Sequence, residues 1–292
     1  MTGNEVFREL VKSPQVAESG AGLEWRFALL EDRSVNAHSD SKGHVWVGGG
    51  LARLLHTDRG LWAAVLSHEI AHVLLRHPNW DKISLQLALP LVFGKVQRNR
   101  EHQADLAGAM LMARAGFHPD FMIALHQLLR RTQGDSSRVL AFFSTHPRWQ
   151  TRQERTQRSY GEILQEYGSR WPDPAASPGG PPPLVVFLGQ PQSAKNDASG
   201  SADIQVPLRC RNATQPVTLR VRLSGSPGSD EIRQQIACPD GTAAPPVTLA
   251  VPPASVTGKL TRLKAQVEVL APGGEVIAQS GWFSVEGAAK GR

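Results

Sequence analysis

Apolar residues follow two different rhythms along this chain of 292 residues, and the change falls near residue 172. Residues 58–77 read Asp-Arg-Gly-Leu-Trp-Ala-Ala-Val-Leu-Ser-His-Glu-Ile-Ala-His-Val-Leu-Leu-Arg-His and stop at Pro78, which predicts a helix. Thr57 or Asp58 can accept the free amides of its first turn, its interior is rich in Ala, Leu and Val, and the proline closes it. A second helix is predicted over residues 96–115, with its Ala, Leu and Met and a break at Gly116. Beyond residue 172, apolar and polar residues alternate over 217–223, 263–269 and 276–285. Period two means strands with one buried face. Further strands near 184–188, 204–210, 232–237 and 247–251 bring the count to about seven, a number and spacing that fit a β-sandwich of roughly 100 residues. Ala271-Pro272-Gly273-Gly274 supplies the turn joining the last two.

Composition divides the chain at the same place. All ten histidines occur by His146, and sixteen of the twenty-one prolines occur from Pro172 onward. The expected organisation is a mostly helical domain over 1–171, a Pro/Gly-rich linker over 172–183 that favours polyproline II, and a β-sandwich-like domain over 184–292. The fold class is therefore α+β. The second domain has no histidine and no clustered acids, and reads as a binding or docking module for a protein partner, or as an inert stabilising appendage.

The net charge of +6 changes this picture little, because the basic residues are spread over both domains. The densest group, residues 148–158, contains Glu154 and glutamines and reads as the solvated face of a helix. It lacks interleaved aromatics, so nucleic acid is not an expected partner; an anionic membrane surface suits a modest basic excess better, as a peripheral contact. No run of about 18 apolar residues is present to span a bilayer. The nearest approach, residues 83–93, is short and contains Pro90; a buried hairpin is the favoured reading over a lid or a shallow membrane contact. Glu5, Arg8, Glu9 and Lys12 exclude a signal peptide in the first twenty residues. As written, the chain is expected to be soluble and cytoplasmic; a periplasmic or cell-envelope location would need a different start or a removed signal. Cys210 and Cys238, the only cysteines, form either one disulfide, which favours an extracytoplasmic location, or two buried thiols.

Candidate chemistry sits in the first predicted helix. At 3.6 residues per turn His68 and His72 project from one face, and two imidazoles at this spacing can share a zinc ion at about 2.0–2.1 Å while Glu69 points beside it as a general base. Catalytic zinc needs a third protein ligand and an open position. Glu101, His102 and Asp105 are the candidates on the second helix. Glu101 and Asp105 lie four apart and share a face; Glu101 is taken as the ligand and Asp105 as the acceptor that orients a ligating histidine.

Ser67-His68-Glu69-Ile70-Ala71-His72-Val73, Arg100-Glu101-His102-Gln103-Ala104-Asp105, and Ser144-Thr145-His146-Pro147 with Arg152 six after the histidine resemble, in this order, the zinc metalloproteases typified by CAAX prenyl protease and the heat-shock protease HtpX. Val35-Asn36-Ala37, Gly43-His44-Val45-Trp46-Val47 and Gly50-Leu51 are similar to the stretch that family carries before its metal helix. The resemblance covers about residues 5–160. It implies one zinc per chain held by His68, His72 and Glu101, Glu69 as base, and His146 and Arg152 near the active site. His146 would then act on the transition state or plug the open zinc position. It also implies that residues 45–47 form an edge strand to which an extended peptide adds, an ordinary core strand being the alternative. The expected activity is metalloendopeptidase cleavage of polypeptides. The alternatives are a plugged, chaperone-like zinc protein, disfavoured by the intact Glu69, and an interaction protein in which the metal only staples two helices.

Overall fold

The computed structural model describes residues 2–77, 90–132, 160–196, 201–224, 231–238, 245–251 and 264–285. The chain is α+β and splits into two compact units, Met1–Pro183 and Leu184–Arg292, each with its own hydrophobic core. Residues 78–89, most of the apolar stretch 83–93, lie outside the described residues, as does the basic group 148–158.

In the first unit α1 (Thr2–Val11) buries Gly3, Val6, Phe7 and Leu10. That is the i, i+3, i+4, i+7 stripe of a surface helix, and it leaves Glu5, Arg8 and Glu9 outside. A short α2 (Pro14–Ser19) follows, then β1 (Arg26–Leu30), β2 (Ala37–Ser39), β3 (His44–Gly48) and α3 (Gly49–Leu55). The three strands form one sheet in the order β1-β3-β2, with β1 parallel and β2 antiparallel to β3. Residues 45–47 are therefore central, not an edge as expected from the resemblance. Among the described residues the edges are β1 and β2. A pattern of alternation shows which side of a strand is buried but not its place in the sheet.

The centre of this unit is α4 (Arg59–Leu74). Twelve of its sixteen residues are buried, including Trp62 through Ala71 without a break, because α1, β2, β3, α5 (Pro90–Ala115) and α6 (Asp120–Thr132) all pack on it. The helix begins where Asp58 accepts from the Leu61 amide at 2.9 Å. Arg59 is tied back to α1 by both of Glu9's carboxylate oxygens, each at 2.7 Å.

The helix ends three residues before the predicted His77. Arg76 takes the left-handed conformation at φ 52, its amide donates to Val73 O at 3.0 Å, and the His77 amide donates to His72 O at 2.9 Å. This pair of bonds is the Schellman motif that satisfies the last free carbonyls of a helix. The C-terminus of α5 closes identically: Gly116 at φ 86 donates to Ala113 O and Phe117 to Met112 O. One motif uses glycine and the other forces an arginine into the same region.

Part of the Pro/Gly-rich stretch before the second unit is held against the first. After α7 (Tyr160–Arg170), the Trp171 indole donates to Ala113 O at 3.2 Å, Pro174–Ala176 form a 3-10 turn, and the Gly179 amide donates to Gly116 O at 3.1 Å. Proline and glycine here supply turn geometry against α5.

The second unit is all β. A sheet of β10 (Val247–Val251), β6 (Ser201–Val206) and β5 (Gln192–Asn196) faces a core shared with a sheet in the order β12 (Val276–Gln279), β11 (Lys264–Leu270), β8 (Val217–Ser224), β9 (Glu231–Ile236), which β13 (Phe283–Ser284) extends on β11. β4 (Val185–Leu188) pairs with β7 (Leu208–Arg211). All pairings are antiparallel. The expected strand over 204–210 is two strands separated at Pro207, whose ring removes a ladder donor. β5, with the polar sequence Gln-Ser-Ala-Lys-Asn, escapes the alternation test. Cys210, buried on β7, is bonded to Cys238 just after β9, so the disulfide reading holds.

Closing a loop with a sequence separation of 28 is worth about 3–4 kcal/mol on the chain-entropy relation. Replacing both cysteines by alanine is expected to lower stability by that amount in urea unfolding of the full chain, with metal content unchanged; a loss below about 1 kcal/mol would overturn the estimate. For the helix cap, Arg76→Gly should raise stability by about 1 kcal/mol by removing the left-handed penalty. An unfolding midpoint that stays or falls would count against strain at that residue.

Candidate metal centre

The crossing of α4 and α5 builds the site. Buried positions on α5 include Glu101, Ala104, Asp105, Gly108 and Met112, the spacing of an inward stripe in which two acids occupy places normally given to apolar side chains. Gly108 lets the helices touch: a Cβ there would lie 3.1 Å from the main chain of Ser67 and His68. Ser67, Ala71 and Ala104, all small, are also buried. Glu101 and Asp105 are thus carried to within reach of the imidazoles on α4.

His68 Nε2 and His72 Nε2 are 3.1 Å apart, and Glu101 places Oε2 3.5 Å from the first and Oε1 3.5 Å from the second. The three side chains offer ligand atoms that lie within 4.8 Å of one another, the one such group of metal-ligating residues among those described. His68 and Glu101 are only 4% and 3% exposed. Two ligands each about 2.0–2.1 Å from a tetrahedral ion stand about 3.3–3.4 Å apart, so the observed spacings fit a shared zinc. The donor set, two imidazoles and one carboxylate, is also that of a catalytic zinc with a fourth position open. His102, the other donor considered from sequence, is not in the cluster.

Each imidazole of the cluster has a partner behind it. His68 Nδ1 lies 3.1 Å from Asp105 Oδ1, and the fully buried Asp105 carboxylate is also 3.7 Å from Nε2 of His126 on α6. His72 Nδ1 lies 3.0 Å from His77 Nδ1, and His77 Nε2 is 3.3 Å from Gln103 Oε1. Burial pushes the His77 imidazole below its usual range; the hydrogen bond to Gln103 opposes this and the charge of Arg100 adds to it. Glu69, 2% exposed, does not join the ligand group. The Ser39 hydroxyl on β2 reaches it, 3.0 Å from Oε2 and 3.1 Å from its main-chain oxygen.

The structure therefore brings His68, Glu69, His72, Glu101 and Asp105 into one buried site. His146 and Arg152 lie outside the described residues. Sequence reasoning missed three side chains: Ser39, 30 residues upstream of Glu69, His77, set by the αL turn, and His126, a lone histidine on an otherwise ordinary amphipathic helix. Only His77 left a trace, as a third histidine five residues after His72.

Crossed helices that present H-E-x-x-H on one and a glutamate on the other offer the donor set of a zinc metallopeptidase. The model for peptidase family M48 matches residues 4–89 and 81–159, more than half of the chain, and the chain belongs to that family of zinc metallopeptidases. This agrees with the resemblance read from the motifs. The chain is 31% identical over 156 residues to the mitochondrial metalloendopeptidase OMA1 of Schizosaccharomyces pombe, covering 45% of this chain and 46% of that protein. It is 29% identical over 164 residues to OMA1 of Saccharomyces cerevisiae, 47% of each chain. With OMA1 of Arabidopsis thaliana it shares 26% identity over 149 residues, 43% of this chain and 30% of the other. The chain thus spans at most about half the length of these relatives. Among the described residues no helix is long and apolar enough to cross a membrane.

If Asp105 orients His68, Asp105→Ala should weaken zinc binding by about 10–100-fold, measured by competition with a chromophoric chelator on protein whose circular dichroism is unchanged. Affinity equal to wild type would remove Asp105 from the site.

Proposed function

We propose that the chain is a zinc-dependent metalloendopeptidase that cleaves polypeptide substrates by general-base attack of water, with His68, His72 and Glu101 holding the ion and Glu69 as the base. The observation that carries this reading is the buried convergence of the three ligand atoms within 4.8 Å, with a carboxylate next to the first ligand that is not itself a ligand. Zinc bound there would polarise the scissile carbonyl and bring the pKa of a water toward about 7.

The remaining work falls to the chain. Glu69 takes a proton from the attacking water and returns one to the leaving amine. No side chain need act as nucleophile. The Ser39 hydroxyl, donating toward Glu69 Oε2, holds the carboxylate in place beside the ligand cluster. Asp105 keeps the His68 proton on Nδ1, so that Nε2 is the metal-facing atom. Because Ser39 is on β2, an edge among the described residues, a substrate adding to β2 as a further strand would lie against Glu69. On the family resemblance, Arg152 or His146 is assigned to stabilising the developing oxyanion, a plug on the open zinc position being the other role for His146.

The second unit, with no histidine, is read as a β-sandwich-like docking module for substrate or a protein partner. Its disulfide favours work in an oxidising compartment, such as the periplasm or cell envelope. The curated relatives are mitochondrial metalloendopeptidases by name, which supports the peptide-bond assignment.

The test is cleavage of casein by the wild type, Glu69→Gln and Glu101→Ala, with zinc measured on the same samples. Glu69→Gln is expected to retain zinc and lose at least about 10²-fold in activity; Glu101→Ala is expected to lose the metal. Wild-type protein that holds zinc and cleaves no faster than Glu69→Gln would refute the enzymatic reading, and stoichiometric zinc in Glu101→Ala would refute the third ligand.

A further inference from the structure

We infer that His77 is a positioning residue of the metal centre, fixing the tautomer and ring orientation of His72 through a hydrogen bond between the two Nδ1 atoms. The inference rests on reading His68, His72 and Glu101 as ligands.

A neutral imidazole carries one N–H, and its other nitrogen is an acceptor. His72 Nε2 faces His68 Nε2 at 3.1 Å and Glu101 Oε1 at 3.5 Å. To present a lone pair to an ion shared with those atoms, His72 must carry its proton on Nδ1. That proton then points to His77 Nδ1, 3.0 Å away, which has to be the acceptor. The His77 proton is left on Nε2, where Gln103 Oε1, an acceptor, lies at 3.3 Å. With the Gln103 amide oxygen toward His77, one placement of protons runs consistently through these contacts to the metal-facing nitrogen. The opposite placement puts an N–H of His72 into the ligand cluster and excludes the ion. The relay thus selects the ligating tautomer.

The backbone is shaped for this contact. Had α4 continued as a helix, residues 72 and 77 would be five apart, about 140° around the axis, and their rings would diverge. The left-handed turn at Arg76 and the bond from the His77 amide to His72 O fold the ring of His77 back onto that of His72, their centroids 5.0 Å apart. Gln103 comes from α5, two residues after Glu101, so the relay spans the same two helices that supply the ligands.

The test uses the full chain with His77→Phe, which fills the space without an acceptor, and His77→Asn, whose amide oxygen can take the place of Nδ1. Zinc dissociation constants are measured by chelator competition, and the visible spectrum of the Co2+-substituted protein reports ligand geometry. His77→Phe is expected to weaken zinc by about 10–100-fold and alter the Co2+ bands, while His77→Asn recovers to within about threefold of wild type with the native spectrum. Wild-type affinity and spectrum in His77→Phe would overturn the inference, as would equal losses in both variants. A wild type that takes up neither metal would overturn the ligand reading itself, an outcome distinguishable from failure of the relay alone.

Discussion

The close crossing of α4 and α5 at Gly108 is the constraint on which the site depends. Burying Glu101 and Asp105 in a helix interface is unfavourable unless each carboxylate finds donors or a cation. The backbone approach, with a Cβ position only 3.1 Å from the main chain of residues 67 and 68, brings both acids to the histidines of α4. The rest of the unit holds that crossing in register. α1, the sheet and α6 surround α4 until it is buried nearly all round, so the metal helix has little freedom to roll and carry His68 away from Glu101. Its apolar stripe, unlike that of α1, is lost in a helix buried on every side.

How much of this was legible in the sequence depended on whether the information was local. His68, Glu69 and His72 declare themselves because one turn of helix fixes their relation, and Glu101 with Asp105 because two acids four apart must share a face. The strands of the second unit show through period two, while the polar β5 does not. Ser39 and His126 were invisible because their roles depend on packing between elements distant in sequence; His77 showed as a third histidine but its role did not, because nothing marks a left-handed arginine in advance. The central place of residues 45–47 in the sheet was hidden for the same reason. The packing of residues 172–183 was hidden as well: proline and glycine composition marks a junction between units but not the contact of Gly179 with Gly116.

Two devices at the helix ends connect the fold to the site. Both helices that carry ligands stop in a Schellman motif, α5 through Gly116 and α4 through Arg76. At α5 the αL residue is glycine and the motif is nearly free of strain; at α4 an arginine is held there against the usual steric preference. The return for the unfavourable conformation at Arg76 is the contact of His77 with His72, which no helical continuation would give. The cap is therefore part of the site and not only the end of an element.

The two histidines proposed as ligands are supported by different chemistry, and charge explains the difference. Glu69, Glu101 and Asp105 already place three buried carboxylates around the centre, against the two positive charges a zinc ion would bring. His68, at 4% exposure, has the anionic Asp105 behind it. A fourth carboxylate behind His72 would add like charge to a site with little water to screen it. A neutral imidazole orients the ring without that cost. The partner of His72 lies toward the end of α4, where the terminal carbonyls already carry partial negative charge, a second reason for an uncharged acceptor there. On this argument an acid is tolerated behind His68 because His126 shares it, and the same role at His72 falls to His77 because the site has no room for more negative charge.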